Sequence, residues 1–259
     1  MKAFLIALML VVVGAGLAIA NAPASLIPLA LDELEKRQLL APNLPAIALT
    51  DLEGTVWQGQ ANQAVITIDG EAILLGVLSW EFEPLSLLDR TAVVHVKADA
   101  PEHHLQATVI ASATDPITIN NLEGRLPISL LEPWVPMLVK GDIVFVFDHI
   151  IADQQLLAID GLLNAESIVW LGGNYEMPLG SYMMQVFLQD NQVHIDINDF
   201  NADLGMSGVL IINPVNGEYQ LDAVLQARPE LAPEVTASIA WFGKRNKQGD
   251  IVLKNRGRL

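Results

Sequence analysis

From about residue 50 onward, apolar and polar side chains alternate over short stretches of the chain. Alternation with a period of two predicts β-strands that bury one face of a sheet and leave the other face in water. Val193–Ile197 alternates in this way, with His194 and Asp196 between aliphatic residues. The strand-like runs are Ala64–Asp69, Glu71–Phe82, Thr91–Ala98, Leu105–Ala111, Gly141–Asp148, Ser181–Leu188, Val193–Ile197, Ser207–Ile212 and Glu218–Gln226.

Turn-forming residues separate these runs. Asp69-Gly70, Asp190-Asn191 and the stretch 213–217, NPVNG, are typical of tight connections between antiparallel strands. No succession of strand, helix and strand units appears, which disfavours the enzyme folds built on parallel sheets. The pattern therefore predicts a mainly β, antiparallel body with short helices, arranged as a curved sheet or as two related β modules.

A short internal repeat bears on the choice between these arrangements. An apolar residue, an acid and a glycine recur at Leu52-Glu53-Gly54, Leu122-Glu123-Gly124 and Ile159-Asp160-Gly161. Two related modules, over 45–125 and 141–228, would produce this recurrence. Chance repetition of a common turn would produce it as well, so both interpretations stand.

The first twenty residues differ from everything that follows. Residues 3–20, AFLIALMLVVVGAGLAIA, carry no charged side chain and follow Lys2. Eighteen helical residues span roughly 27 Å, close to the thickness of the hydrocarbon core of a bilayer. We therefore expect a membrane anchor over residues 1–22, with Lys2 in the cytoplasm and the rest of the chain across the membrane. The residues that represent this anchor are Lys2, Phe4, Leu8, Val12 and Leu17.

A cleaved signal peptide is the alternative interpretation of the same segment. Ala18-Ile19-Ala20 fits the small-x-small rule for cleavage, but the apolar run is longer than the usual core of about 7–15 residues. The length favours the anchor. In either case the body of the protein lies outside the cytoplasm.

Between the anchor and the strands, residues 23–44 form a Pro-bounded linker. Leucines at roughly helical spacing, with mixed charges over 32–36, predict a short amphipathic helix there. Two further helices are expected within the β-rich domain, which spans residues 45–259. They lie near Ile128–Leu138 and over Pro229–Phe242.

The charge of the chain excludes one class of partner. The net charge of −16 would repel the phosphates of nucleic acids. Residues 244–259 are the exception, because they hold six of the fourteen basic side chains and one acid. This tail either docks on an acidic surface or on lipid headgroups, or it is a solvated last strand.

No residue pattern in the chain predicts catalysis or a cofactor. There is no cysteine, which excludes disulfides, thiolate metal sites and cysteine nucleophiles. The five histidines lack metal-binding spacing, and His103 and His104, being adjacent, would point to opposite faces of a strand. We therefore expect no enzyme, no metal and no cofactor.

The most distinctive short stretches contain tryptophan. They are 52–61, LEGTVWQGQA, and 78–84, LSWEFEP, followed by Leu87-Leu88. A tryptophan in such a stretch is more often a core residue than a ligand platform. The residues that define this motif are Gly54, Trp57, Gly59 and Trp80.

At these two stretches the chain resembles the N protein of the bacterial type II secretion system, also called general secretion pathway protein N. Weaker similarities follow at Gly217-Glu218-Tyr219, at Ala227-Arg228-Pro229 and in the segment leading to Gly249. The resemblance implies a single span in the inner membrane, a periplasmic β-rich domain and no catalytic residues.

The function implied by the resemblance is that of an accessory subunit in the export of folded proteins across the outer membrane. Its partners would be other inner-membrane secretion subunits. A second hypothesis is an envelope protein that binds or transfers lipid in a hydrophobic β groove, because the interior is aliphatic and poor in aromatic residues.

Overall fold

The computed structural model describes residues 21–36, 46–68, 70–112, 114–132, 139–153, 155–171, 176–229, 231 and 243–258. This part of the chain is mainly β and its strands pair antiparallel, as the alternation predicts. It contains one α-helix, α1 (Leu26–Lys36), and two short 3-10 helices, Pro84–Asp89 and Ile128–Leu131. The chain divides into two compact units, residues 1–100 and 101–259.

The first unit is a meander of four antiparallel strands. They are β1 (Ala46–Gly54), β2 (Gln58–Ile68), β3 (Glu71–Phe82) and β4 (Thr91–Ala100), and each pairs with the next. Ala61 and Trp80 are buried on one face of this sheet, against Ala24 and Ile27 from the N-terminal side of α1. The linker helix therefore supplies part of the core of the first unit.

The second unit continues the same construction through ten strands. They are β5 (His103–Ser112), β6 (Ile117–Pro127), β7 (Val139–Ala152), β8 (Leu156–Trp170), β9 (Met177–Gln189), β10 (Gln192–Phe200), β11 (Leu204–Ile212), β12 (Glu218–Ala227), β13 (Lys244–Arg245) and β14 (Ile251–Arg258). Strands from β5 to β12 pair in sequence order. β14 then pairs with β12 on one side and with β13 on the other.

Tight turns make this meander possible. Asp190 and Asn191, the predicted turn between β9 and β10, both adopt positive φ, 52° and 59°. Two successive left-handed residues twist a two-residue hairpin in the same sense as its strands. Gly217, at φ 71°, closes the predicted turn between β11 and β12, where its N–H donates to the carbonyl of Asn213.

One face of the second unit carries a continuous cluster of apolar side chains, here called the apolar face. Phe145, Phe147 and Val186 are buried at its centre. The partly buried members around them are Leu105, Leu122, Leu126, Ile143, Ile150, Ile159, Leu163, Val193 and Ile195. Within the described residues, strands alone build this cluster. Val193 and Ile195 belong to it, as their alternation predicts, while His194 stacks on Phe187.

Two of the predicted helical segments contain helix among the described residues. α1 lies inside the predicted linker, and the segment near Ile128–Leu138 contains the 3-10 helix Ile128–Leu131. Most of Pro229–Phe242 lies outside the described residues, although Leu231 is buried against Leu204. Residues 1–20 of the predicted anchor also lie outside them, and no helix within the described residues has the length and apolarity needed to cross a membrane.

A glycine directly opposite an aromatic residue recurs at four strand pairs of the described sheets. The pairs are Gly59 with Trp80, Gly124 with Phe145, Gly161 with Phe147, and Gly257 with Tyr219. A methyl group at any of these glycines would come within 2.8 Å of a carbon of the ring opposite. Each ring therefore occupies the space that a side chain on the neighbouring strand would need.

This arrangement explains two of the apolar-acid-glycine repeats. Gly124 and Gly161 lie inside β6 and β8 rather than in turns before strands. Glycine in a strand interior is ordinarily unfavourable by about 0.5–1 kcal/mol relative to alanine. Packing under a phenylalanine ring compensates for that loss at both positions.

We expect Gly161→Ala to lower the free energy of unfolding by about 1–3 kcal/mol, because a well-packed site is overfilled. The added methyl would lie 2.6 Å from the carbonyl oxygen of Val146 and 2.7 Å from Cγ of Phe147. Urea titration of the full chain in detergent, followed by circular dichroism, measures the change.

Gly205→Ala is the matched control within β11, since its nearest heavy atoms lie 3.3 Å away, on Gln226. It should leave the urea midpoint nearly unchanged. An equal loss at both positions would show that the ring of Phe147 is not the cause.

Candidate interaction surfaces

The tryptophan motif forms the turn between β1 and β2 and the strand next to it. Gly54 ends β1 at φ 87°, where a side chain would also meet the carbonyl oxygen of Gln58 at 2.5 Å. Thr55 Oγ1 accepts the N–H groups of Trp57 and Gln58, both at 3.2 Å. Gly54 is required because it permits the positive φ at the end of β1. Thr55 is required because its hydroxyl accepts the two backbone N–H groups.

Trp80 is the buried tryptophan of the motif. Its side chain lies under the backbone of Gly59, only 7% of the residue is exposed, and Nε1 donates to the carbonyl of Thr55 at 3.2 Å. Trp57 is half-buried, with its ring centroid 5.2 Å from that of Phe82. The structure thus brings all four predicted motif residues together, with Trp80 as the core residue.

The chain enters the first unit beside this motif. The Ala24 N–H donates to the carbonyl of Gly54 at 3.1 Å, and the Val56 N–H donates to the carbonyl of Ala22 at 2.9 Å. Pro23 forms an isolated bridge with Thr55. The anchor residues Lys2, Phe4, Leu8, Val12 and Leu17 lie outside the described residues, but the segment that follows them is fixed to the motif.

The polar side of the first unit carries charges without a catalytic arrangement. A shallow depression there is lined by Glu53, Gln60, Glu81, His95 and Lys97, among others. His95 Nε2 contacts the carboxylate of Glu83, just outside it, at 2.8 Å. These side chains project from successive strands toward water, which suits recognition of a polar partner.

Two ionisable groups of the second unit make structural contacts. Arg125 donates to Asp142 at 2.8 Å and lies 3.4 Å from Glu166, and the bond to Asp142 raises the pKa of the guanidinium. Burial raises the pKa of the Tyr182 hydroxyl, which donates to the carbonyl of Leu204 at 2.9 Å. The phenol therefore remains protonated and acts as a hydrogen-bond donor within the fold.

The histidines do not assemble into a site. His103 is buried and His104 is exposed, as expected of adjacent residues on one strand. Among the described residues, no three side chains of the metal-binding types lie close enough to share an ion.

The C-terminal strand has an edge that the tail's sequence did not reveal. β13 pairs with β14 only at Ile251 and Val252, so no described strand pairs with the other side of 253–258. This segment, here called the basic edge, carries Lys254, Arg256 and Arg258. Lys254 lies 3.0 Å from Asp222 of β12. The pKa of the Asp222 carboxyl is lowered first by the hydrogen bond from Gln220 and second by this contact with Lys254.

Comparison with known proteins agrees with the resemblance noted at the tryptophan motif. The sequence model of the family described as type II secretion system (T2SS), protein N, matches residues 45–254. A protein of Vibrio cholerae serotype O1, named type II secretion system protein N, is 22% identical over 225 residues. That alignment covers 82% of this chain and 85% of the relative. No solved structure matches the chain significantly.

We expect Trp80→Ala to lower the free energy of unfolding by about 3–5 kcal/mol, because a buried indole leaves a large cavity. Trp57→Ala should lower it by about 1–2 kcal/mol, since less apolar surface is lost from a half-buried ring. Denaturant titration of both full-length variants compares them directly.

Trp80→Phe is the control that keeps most of the volume. It should lose about 1 kcal/mol with the hydrogen bond to Thr55. A greater loss for Trp57→Ala than for Trp80→Ala would contradict the assignment of Trp80 as the core residue.

Proposed function

Since this chain belongs to the type II secretion system protein N family, we propose that it is a non-enzymatic accessory subunit of that pathway. In this proposal it is held in the inner membrane and acts in the export of folded proteins from the periplasm across the outer membrane. It works by contact with other inner-membrane secretion subunits. Family membership is the observation that carries the proposal.

The N-terminal sequence supports the membrane location. Residues 3–20 contain ten Leu, Ile, Val or Phe side chains, which favour insertion by roughly 3–6 kcal/mol in total. Ala22 and Ala24 are hydrogen-bonded to the motif at the end of β1. The proposed anchor therefore leads into the first unit without a long tether, with the body in the periplasm.

Surface chemistry supports a role in recognition. Several of the charged side chains described above form pairs on solvent-facing strands, as Arg125 does with Asp142. A catalytic acid or base is instead expected in a cleft, with a pKa shifted toward the working pH.

The basic edge is the surface that we assign to a secretion partner. A strand edge that no described strand covers offers backbone donors and acceptors to an extended segment of another protein, and neighbouring side chains select it. Arg256 and Arg258 are exposed beside this edge in a chain that is otherwise acidic. The matching partner is an acidic, extended segment of another inner-membrane subunit.

The apolar face favours a second candidate function, binding or transfer of an envelope lipid. Its centre is phenylalanine and valine, its rim is aliphatic, and the members around the centre are only partly buried. Acyl chains would match such a lining. For a deletion strain, the lipid hypothesis predicts normal secretion with altered outer-membrane lipids.

The first test concerns topology. Alkaline phosphatase fused after residue 60 should be active, because the enzyme folds only outside the cytoplasm, whereas a cytoplasmic reporter fused there should be inactive. N-terminal sequencing of the mature protein should find residues 1–22 retained. Activity of the cytoplasmic reporter would contradict the proposed orientation, and a mature chain beginning near Asn21 would identify a cleaved signal.

The second test concerns secretion. Deletion of the gene should leave exoproteins folded in the periplasm, or slow their release. Re-expression of the Arg256→Glu variant should restore release only partly, because an acidic side chain then repels the acidic partner segment. The measurement is the secreted fraction of an exoprotein over time.

Lys247→Glu makes the same charge change in the turn before β14, away from the basic edge, and should restore release fully. Equal behaviour of the two variants would contradict the assignment of the edge. Normal secretion in the deletion strain, with altered outer-membrane lipids, would favour the lipid function instead.

A further inference from the structure

Three exposed leucines lie together on the 3-10 helix between β3 and β4. Leu85 and Leu88 are 78% and 81% exposed, and Leu87 is exposed between them. In a 3-10 helix, residues three apart lie above one another, so Leu85 and Leu88 share one face. Single exposed leucines are ordinary, but a cluster on one turn marks a contact surface. We call residues 84–89 the leucine turn.

The backbone of the leucine turn is fixed, so the exposure of its leucines is built into the fold. The Ser86 hydroxyl donates to the carbonyl of Glu83 at 2.7 Å and accepts the Val93 N–H at 3.2 Å. Arg90 ends the turn in the left-handed conformation, at φ 60°, and its N–H donates to the carbonyl of Leu87 at 3.0 Å. The leucines are thus presented by a hydrogen-bonded scaffold.

The leucine turn lies at the end of the first unit where the N-terminal segment enters. Phe82, the last residue of β3, donates its N–H to the carbonyl of Trp57 at 2.6 Å. In the same β1–β2 turn, Val56 donates its N–H to the carbonyl of Ala22. A continuous set of backbone hydrogen bonds therefore joins the residues directly after the apolar run to the strand from which the leucine turn emerges.

Helix α1 begins at this same end and adds further exposed leucines. Leu26 and Leu29 are exposed, while Ile27 packs against the buried cluster of Trp80. The helix therefore has apolar residues on its solvent side as well as on its core side. This end of the first unit therefore carries more apolar surface than the core of the unit buries.

We propose that the leucine turn inserts into the surface of the membrane that holds residues 3–20, with Leu85 and Leu88 as the inserting side chains. This inference rests on the proposed anchoring. A span that ends near residue 20 leaves only a few residues before Ala22 and Ala24 join the sheet, so this end of the unit lies next to the lipid. Apolar side chains at that depth leave water for the boundary between headgroups and acyl chains.

The charges near the leucine turn favour insertion of its apolar side chains over electrostatic attraction to anionic headgroups. Asp89 and Arg90 are adjacent and opposite in sign, and Glu83 is engaged with His95. Among the described residues of the first unit, no cluster of basic side chains accompanies the leucines, so attraction to anionic lipids contributes little. Insertion should therefore depend weakly on salt and on the fraction of anionic lipid.

The absence of cysteine in the chain makes the test direct. Full-length Leu85→Cys and Leu88→Cys variants, each carrying an environment-sensitive fluorophore, are reconstituted into phosphatidylcholine vesicles with and without phosphatidylglycerol. Lipids bearing a nitroxide near the headgroup should quench both labels several-fold more than a label at Leu74→Cys. Leu74 is an exposed leucine of β3, about 26 Å along the strand from Phe82.

A second reporter carries its label outside the leucines, so that the leucines can be present or replaced in the labelled chain. A label at Asp89→Cys should also be quenched, and Leu85→Asn together with Leu88→Asn in that chain should remove most of the quenching. Equal quenching at positions 74, 85 and 88 would overturn the proposal. So would a label at position 85 that is shielded from water only when other secretion subunits are added, since the surface then contacts protein.

Alkaline washing of the same vesicles separates this inference from the proposed anchor. A chain that stays in the membrane with unquenched labels retains its anchor and refutes the leucine contact. A chain that is released, with unquenched labels, refutes both. A chain that stays, with quenched labels at 85 and 88, supports both.

Discussion

Close packing of aromatic rings on glycines of the next strand is the contact on which these sheets depend. A ring such as that of Phe147 needs space on the neighbouring strand, and Gly161 provides it at the residue directly opposite. A shift in register by one residue would place a side chain under the ring and turn the apolar residues to the other face. The Gly–aromatic pairs therefore hold the register of long strands that have little helical cover among the described residues.

The same constraint determines which side chains lie on each face of the sheets. A sheet in fixed register keeps one set of alternating residues on one face and the other set on the opposite face, as Val193 and His194 illustrate. A meander also ends in an edge strand. Among the described strands of the second unit, this end is formed by β14 and the short β13, both of which carry basic side chains although the chain as a whole is acidic.

The strands with regular alternation were predictable from the sequence, and the interrupted ones were not. β3 begins and ends where its pattern predicts. β6 was missed because Asn121, at φ 50°, lies in an irregular part of the pairing and resembles a turn in the sequence. β1 contains Asp51 at φ 53°, and β8 has two shifts in register in its pairing with β9, so neither shows a simple period of two.

The functional surfaces were predictable only in part, for a related reason. The tryptophan motif was identified, but sequence could not show which ring was covered, since this depends on Gly59 lying opposite Trp80. The charge of the tail was evident, but the lack of a described partner strand beside 253–258 depends on the short pairing of β13. Leu85, Leu87 and Leu88 resemble core residues until the 3-10 helix that exposes them is known.

The two proposed contacts would contribute different properties to one function. An apolar contact with lipid has little selectivity, but it confines the chain to the membrane layer, where a weak contact with a neighbouring subunit suffices because the effective concentration is high. A basic edge contributes selectivity, and its long-range attraction is screened beyond about 10 Å at 0.1 M salt. Salt should therefore weaken the association with partner subunits while leaving the lipid contact largely intact, so the two contributions can be separated by ionic strength alone.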